Sequence, residues 1–388
     1  MWVPVAPGGV TLRIARVELW MVSLPLLRPF RSARETVTAK QALLVAVGSS
    51  GGCTGWGECA AGPAPGYSEE WLPSARRCIS ELLVPMIVAG GPLNHPDQVG
   101  ERMDAVRGNR MAKAAVEAAV MDAWLQEGGV SLSTWLGGVR ATVECGVSVG
   151  SPPAGEPAEV ELVEEAGAYL AQGYRRVKAK LLPGSEGSVM GALRRAFPDA
   201  ALQADANGSY GMDQLDLLAE VDEFGLEMVE QPLAPELLVQ HAALAARLGT
   251  PICLDESIRC VADVETAAAL GAARVINVKP GRMGGILEAR RTASVAATLG
   301  MSAWVGGMLE TGVGRAVNLA VASVPDIDLP GDTSASDRYF AEDLTEPFTL
   351  RRDGTIALPH GPGCGRPPLK TRLHATSLWH ERIGLRAG

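Results

Sequence analysis

Histidine is scarce in this 388-residue chain: five residues, at positions 95, 241, 360, 374 and 380, none of them closing an apolar, strand-like run. A site built from strand ends would therefore lack an imidazole base or ligand. Seven cysteines form an odd set without a paired framework, and Cys53 and Cys59 flank a glycine-rich turn without zinc-knuckle spacing. Reduced, mostly buried thiols and a cytoplasmic location are expected. The N-terminal MWVPVAPGGVTLRIARVELW lacks the basic region of a signal peptide. There is no run of 18 apolar residues, so no membrane span is expected. Lys/Arg-dense tracts are missing and the formal charge is −9, which argues against a nucleic-acid surface. KPGRMGG lacks the spacing and the Ser/Thr of a phosphate-binding loop.

What the chain does have is 47% apolar residues and enough length for two domains, one of them large. Residues 12–48 read as two strands, LRIARVELWMVSL and QALLVAVGSS, joined by a connection too long for a tight hairpin. GGCTGWGECA reads as a third strand, and residues 69–87 and 95–127 as helices. From about residue 141 the pattern alternates. Strand-like runs end near 149, 180, 206, 231, 256, 280 and 306, with Ala/Leu/Glu-rich helical segments between them. Even spacing of seven such units predicts a parallel α/β barrel. The last unit is shorter, with VGRAVNLAVASVP as a helix and DIDLPGDT as a short strand. TEPFTLRRDGTIALP reads as a hairpin packing back on the N-terminal meander. The expected division is 1–127 (α+β), 128–339 (barrel) and 340–388 (return segment).

The barrel strands carry a periodic constellation. Asp205, Glu230, Asp255 and Lys279 follow one another at steps of 25, 25 and 24 residues, and Lys180 stands 25 before the first. One βα unit takes about 25–30 residues, so these side chains are expected on one rim. A single Asp or Glu there could simply cap the next helix. Three at one period point instead to a hard divalent cation, Mg²⁺ or Mn²⁺ before Zn²⁺. Cys253 is expected to face away from Asp255. Lys178 and Lys180 alternate on VKAK and share a face. Their repulsion is expected to tune Lys180 into a usable base. Lys279 would approach from the opposite side of the mouth, the layout for abstracting a proton alpha to a metal-bound carboxylate. Arg282 also admits a plain reading as an ion pair at a helix entry.

The ordered set VKAK, DAN, EQP, LDES and NVKPGRMGG resembles the enolase superfamily, in its muconate-lactonizing subgroup. GNRMAKAAVEAAVMDA, CGVSVG and GGMLETGVGRAVNLAVASVPDIDLPGDTSASDR extend the resemblance over nearly the whole chain, towards the branch of N-succinylamino acid (N-acylamino acid) racemases and o-succinylbenzoate synthases. The resemblance implies a (β/α)7β TIM-like barrel with an N-terminal α+β capping domain. It implies Mg²⁺ on Asp205, Glu230 and Asp255, Lys180 and Lys279 as acid/bases, and Lys178 tuning Lys180. Ser148, Asn207 and Arg282 resemble substrate-contacting or racemase-associated positions. Capping loops at 26–36 and 62–68 would close over the mouth, with Phe30 and Tyr67 reaching the substrate and Met308 and Leu309 lining the pocket. PPAGEPAE, 152–159, looks like a slightly lengthened rim loop, and MWVPVAPGG like an extension.

The resemblance favours a racemase of N-succinylamino acids that also retains o-succinylbenzoate synthase activity. A dedicated synthase of menaquinone synthesis, or a muconate-type cycloisomerase, would use the same lysines. A mandelate-type site would need a histidine base, and a dipeptide epimerase an acidic pair where GGMLETG stands. The intact triad and both lysines speak against a non-catalytic binding role. The expected partners are a small carboxylate substrate and further copies of the chain, without nucleic acid or membrane.

Overall fold

The computed structural model describes residues 9–31, 36–150 and 156–385. The tip of the first connection, much of the 152–159 stretch and most of the N-terminal extension lie outside the described residues. A meander of β1 (Ile14–Arg31), β2 (Thr36–Ser49) and β3 (Thr54–Cys59) opens the fold. The first two strands are longer than expected. They consume most of the connection, and their pairing breaks between Pro25 and Phe30. Pro25 and Pro29 cannot donate to a ladder, which explains the irregularity.

The expected helix over 95–127 is two helices, Asp97–Met103 and Arg110–Glu127. Gly108 and Asn109 both adopt positive φ (62° and 50°) and break the run. Arg110–Glu127 packs along β3 at very short range. A Cβ on Gly57 would stand 2.0 Å from the Ala115 carbonyl oxygen, and one on Gly55 2.1 Å from that of Ala119. The alternate glycines of TGWGEC thus let strand and helix backbones touch.

Seven parallel strands follow: β5 (Val147–Val149), β6 (Val177–Lys180), β7 (Leu202–Asp205), β8 (Met228–Glu230), β9 (Ile252–Leu254), β10 (Val275–Val278) and β11 (Ser302–Val305), after a short β4 (Thr142–Glu144). Their spatial order is their chain order, with helical segments between them. This is the α/β barrel with a separate capping sheet. The expected strand in DIDLPGDT does not form. Instead Gly331 accepts from Gly146 N at 2.8 Å and Asp332 N donates to Val305 at 2.9 Å, so an irregular segment closes the ring between β5 and β11. Pro330, which has no N–H, sits in the middle of it.

The C-terminal region also differs from expectation. Thr355–Ala357 (β12) pairs with β4, at the end of the barrel where the strands begin, rather than with the meander. The strand that returns to the meander is β13 (Ser377–Ile383), which pairs with β1 and completes the order β13-β1-β2-β3. No helix among the described residues is long and apolar enough to cross a membrane.

Buried carboxylates cap helix starts across the structure. Glu70 accepts from Met111 N and Ala112 N at the start of Arg110–Glu127. Glu117 of that helix accepts from Leu287 N, in the first turn of the barrel helix Ile286–Thr298. Glu58 of β3 accepts from Thr311 N, Thr311 Oγ1 and Gly314 N at the start of Gly312–Ala322. Each satisfies N–H groups that a helix cannot pair internally.

Burial pushes the Glu117 carboxyl up to about 7, against a partial offset from Leu287 N–H. Between its ordinary value and about 7, the folded state holds a proton that the unfolded chain has lost. Stability therefore falls as pH rises through that window. Glu117→Gln should shallow the slope of unfolding free energy against pH between 5 and 7, by on the order of 1–3 kcal/mol across the window. Urea unfolding at several pH values measures this, and an unchanged slope would refute the assignment.

Candidate active site

The site is assembled at the carboxyl ends of the barrel strands. Pairing sets Lys180 beside Asp205 and Asp205 beside Glu230 in register, and Asp255 follows the end of β9. In-register neighbours in a parallel sheet project to the same side. Lysine-bearing β6 and β10 stand on either side of the three carboxylate-bearing strands. All five side chains are buried: Asp205 2%, Glu230 0%, Asp255 1%, Lys180 8% and Lys279 6% exposed.

The charges are closely interlocked. Lys180 Nζ donates to Asp205 Oδ2 and to Asn207 Oδ1, both at 2.6 Å. Lys279 Nζ donates to Asp255 Oδ2 at 2.7 Å. Lys178 Nζ lies 2.6 Å from Glu230 Oε2, 2.7 Å from Asp332 Oδ2 and 3.3 Å from Asp205 Oδ2. Burial, then the neighbouring Asp205 charge, pushes the Glu230 carboxyl up to about 8. Burial works in the same direction on Asp205, but Lys180 and Lys178 overcome it and hold this carboxyl well below the usual range. Burial opposes the charge of Lys178, yet Asp332, Glu230 and Asp205 raise its pKa well above the ordinary value. Asp255 likewise raises that of Lys279 against burial. Ammonium groups hold an oxygen of each of the three carboxylates, and among the described residues no group of three or more Asp, Glu, His or Cys side chains stands ready to hold a metal ion.

One cavity opens onto this cluster. Lys178, Lys180, Asp205 and Lys279 line it, with the expected Ser148, Asn207, Met308, Leu309, Phe30 and Tyr67. Glu230 and Asp255 lie behind that lining. Arg282 does too, contrary to a substrate-contacting position. It is 5% exposed, ion-pairs with Asp255 and donates to the carbonyls of Ile258 and Asn277. Tyr67, from the capping loop, places its hydroxyl 2.9 Å from Arg282 Nη1 and 3.2 Å from Asp255 Oδ1, with its ring 5.0 Å from Lys279 Nζ.

Several contributors escaped the sequence reading. Arg176 is fully buried, bonds to Asp332 at 2.6 Å and, like Lys178, stacks on Trp304 (5.1 and 4.7 Å to the ring centre). Its signal was available, since it precedes Lys178 by two residues and so faces the same side. Cys253 falls under the same rule. It does not face away but accepts a bond from Trp304 Nε1 at 3.3 Å inside the barrel. Asn277, two before Lys279, donates to Glu230 Oε1 at 2.6 Å. A Cβ on Gly306 would stand 2.2 Å from Asn277 Oδ1 and 2.6 Å from Lys279 Cε, so only glycine leaves these side chains in place. Asp332 comes from the irregular closing segment, which has no period to read.

Among the described residues, three of the four non-glycine residues at positive φ follow barrel strands: Asn207 (46°), Gln231 (39°) and Leu309 (57°). Such strain gathers at functional sites, where surrounding bonds enforce it. Gln231 shows how. Its Oε1 accepts from Asp255 N and Ser257 N at 2.9 and 3.2 Å, and its Nε2 donates to Leu233 O and Ser257 Oγ.

A parallel barrel with paired lysines across a buried carboxylate triad defines a class of proton-transfer enzyme. The chain belongs to the enolase superfamily: residues 161–368 match the family described as Enolase C-terminal domain-like, and residues 16–137 the Mandelate racemase / muconate lactonizing enzyme, N-terminal domain. It is 43% identical to an o-succinylbenzoate synthase of Geobacillus stearothermophilus, over 92% of this chain and 94% of that one. It is also 43% identical to an N-succinylamino acid racemase of Amycolatopsis, over 96% and 100%. A solved enolase-superfamily member from Listeria innocua superposes with a TM-score of 0.91 at 38% identity, covering 96% of this chain and 99% of that one.

Gln231→Leu should cost about 3 kcal/mol, because it strands several buried donors and acceptors around Asp255 at once. Urea unfolding tests this; a loss below about 1 kcal/mol would mean that the rim holds Asp255 without it.

Proposed function

We propose that this protein abstracts the proton alpha to the carboxylate of an N-succinylamino acid and returns one to the opposite face, a two-lysine racemisation, and that it also has o-succinylbenzoate synthase activity. The observation that carries this reading is the placement of Lys180 on β6 and of Lys279 just after β10, on either side of the carboxylate triad and both lining one cavity.

The buried donor set is all oxygen, which fits a hard cation, Mg²⁺ or Mn²⁺, held by Asp205, Glu230 and Asp255. When bound, such an ion would offset the negative charge that develops on the substrate carboxylate. Lys180 and Lys279, now bonded to Asp205 and Asp255, are the groups placed to exchange protons with the substrate. Lys180 takes the proton on one face of the alpha carbon, and Lys279 delivers a proton to the other. Asn207 orients Lys180 through its 2.6 Å bond, and Tyr67 covers Lys279 from the capping side. Lys178, fixed by Glu230 and Asp332, remains cationic and adds positive potential where charge accumulates.

The synthase reading has support from the equal identity to relatives bearing the two names. In that reaction Lys180 acts twice on one face, removing the alpha proton and then protonating the departing hydroxyl, while Lys279 serves as a cation. A cytoplasmic location and self-association belong to the same proposal; all seven cysteines are free thiols, in keeping with a reducing compartment.

Alpha-hydrogen exchange in D₂O with Mg²⁺, on each enantiomer of N-succinylphenylalanine, tests the reading. Both enantiomers should exchange and interconvert, and chelation of the cation should stop it. Lys180→Met and Lys279→Met should each slow interconversion by about 10²–10⁴-fold. If neither enantiomer exchanges while o-succinylbenzoate is formed from its hydroxy-acid precursor, the protein is a dedicated synthase. Full racemisation by Lys279→Met would sink the two-base mechanism.

A further inference from the structure

Lys40 belongs to the capping sheet, on β2 opposite Leu24, yet it lines the same cavity as the barrel lysines. It is 6% exposed. An ammonium group has three N–H donors. Among the described residues Lys40 makes one hydrogen bond, to the Met308 carbonyl oxygen at 3.1 Å. Buried lysines are ordinarily matched by a carboxylate. The acid that feels its charge is Glu58, whose carboxyl it stabilises in the ionised form. The oxygens of Glu58 are instead taken by Thr311 N, Thr311 Oγ1 and Gly314 N. Lys40 therefore keeps donor capacity at the cavity wall. Phe30, Val37, Ala39 and Gln41 of the cap and Met308 and Leu309 from beyond β11 also line the cavity, so the surface around this cation is mainly apolar.

The three barrel lysines are committed differently, each bonded to a carboxylate of the triad. The cavity thus has two kinds of positive charge: a balanced cluster on the barrel side and a single under-matched cation on the cap side. A ligand that suits both carries a carboxylate at its reacting end, an apolar body, and a second anionic group.

We infer that Lys40 determines acyl-group specificity by binding the distal carboxylate of the substrate's acyl arm, so that the enzyme selects dicarboxylates. This rests on the function proposed above and names the residue that reads the succinyl group. It applies to both reactions, because the substrate of each has the same arm. A site that hydrogen-bonds a charged group rejects a neutral analogue strongly, since the buried partner is then left unmatched.

The test compares N-succinylphenylalanine with its succinamoyl analogue, in which the distal carboxylate is a neutral amide of nearly the same shape. Racemisation kinetics are measured for the wild type, Lys40→Met and Lys40→Arg, with calorimetric binding of both compounds alongside. The wild type should prefer the acid by at least about tenfold in kcat/KM, carried mostly by KM. In Lys40→Met that ratio should fall towards one, and Lys40→Arg should restore part of it. Two results would overturn the inference: no preference in the wild type, or an equal loss on both compounds in Lys40→Met, the mark of a merely structural counter-charge to Glu58. If the wild type turns over neither compound, the racemase reading falls and calorimetry decides the role of Lys40. Tighter binding of the acid that disappears in Lys40→Met supports it, and equal binding refutes it.

Discussion

Burying three carboxylates at one barrel mouth is the constraint on which the remaining architecture depends. Charges withdrawn from water are tolerated only when matched and hydrogen-bonded. Lys178, Lys180, Lys279 and Arg282 supply the first layer of compensation, each in contact with Asp205, Glu230 or Asp255. A second layer holds the first: Asp332 fixes Lys178, Arg176 fixes Asp332, and Trp304 gives both cations an aromatic face. The bareness of Gly306 and the left-handed backbone at Asn207 and Gln231 accompany the same demand, since each makes room for or carries a polar side chain bonded within the cluster.

What the sequence revealed, it revealed through period. Strands repeated at near-constant spacing placed Asp205, Glu230, Asp255, Lys180 and Lys279 at one mouth, because an end-of-strand position is a topological fact that survives small errors in strand boundaries. The two-residue alternation held as much information and was used only in part: it found the kinship of Lys178 with Lys180, and should also have found Arg176, Asn277 and the inward Cys253. Asp332 was illegible because Pro330 and Gly331 interrupt the regular structure just before it. Lys40 reaches the cavity from another sheet, so its position depends on how the cap docks, and Tyr67 was expected at the mouth only through the resemblance. The docking of β12 on β4 rather than on the meander is likewise a tertiary outcome that local pattern does not encode, whereas the helix break was marked locally by Gly108 and Asn109, residues that tolerate positive φ.

Cap and barrel meet through carboxylates as well. Glu58 and Glu117 reach from capping elements to the first turns of barrel helices, while Asp122 binds Trp56 N at 2.8 Å and Cys364 N at 2.7 Å. These interactions rest mainly on backbone donors that any sequence would present, with the Thr311 hydroxyl as the side-chain contribution to Glu58. This rigid seating gives meaning to a cavity shared by two domains: the chemistry is held by strand ends, while Phe30, Lys40 and Tyr67 are brought to it by a separate unit. On the function proposed above, reaction and recognition fall to different parts of the chain.

The pairing of β13 with β1 gives the molecule a particular life history. The capping sheet takes its first three strands from before the barrel and its fourth from after it, with the whole barrel in between. During translation the outer edge of β1 must wait, exposed, for a partner that emerges only after the catalytic strands have been produced. The barrel can thus organise itself around its buried charges before the sheet that covers it is closed. β13 thus fastens the cap from the far side of the barrel in the chain.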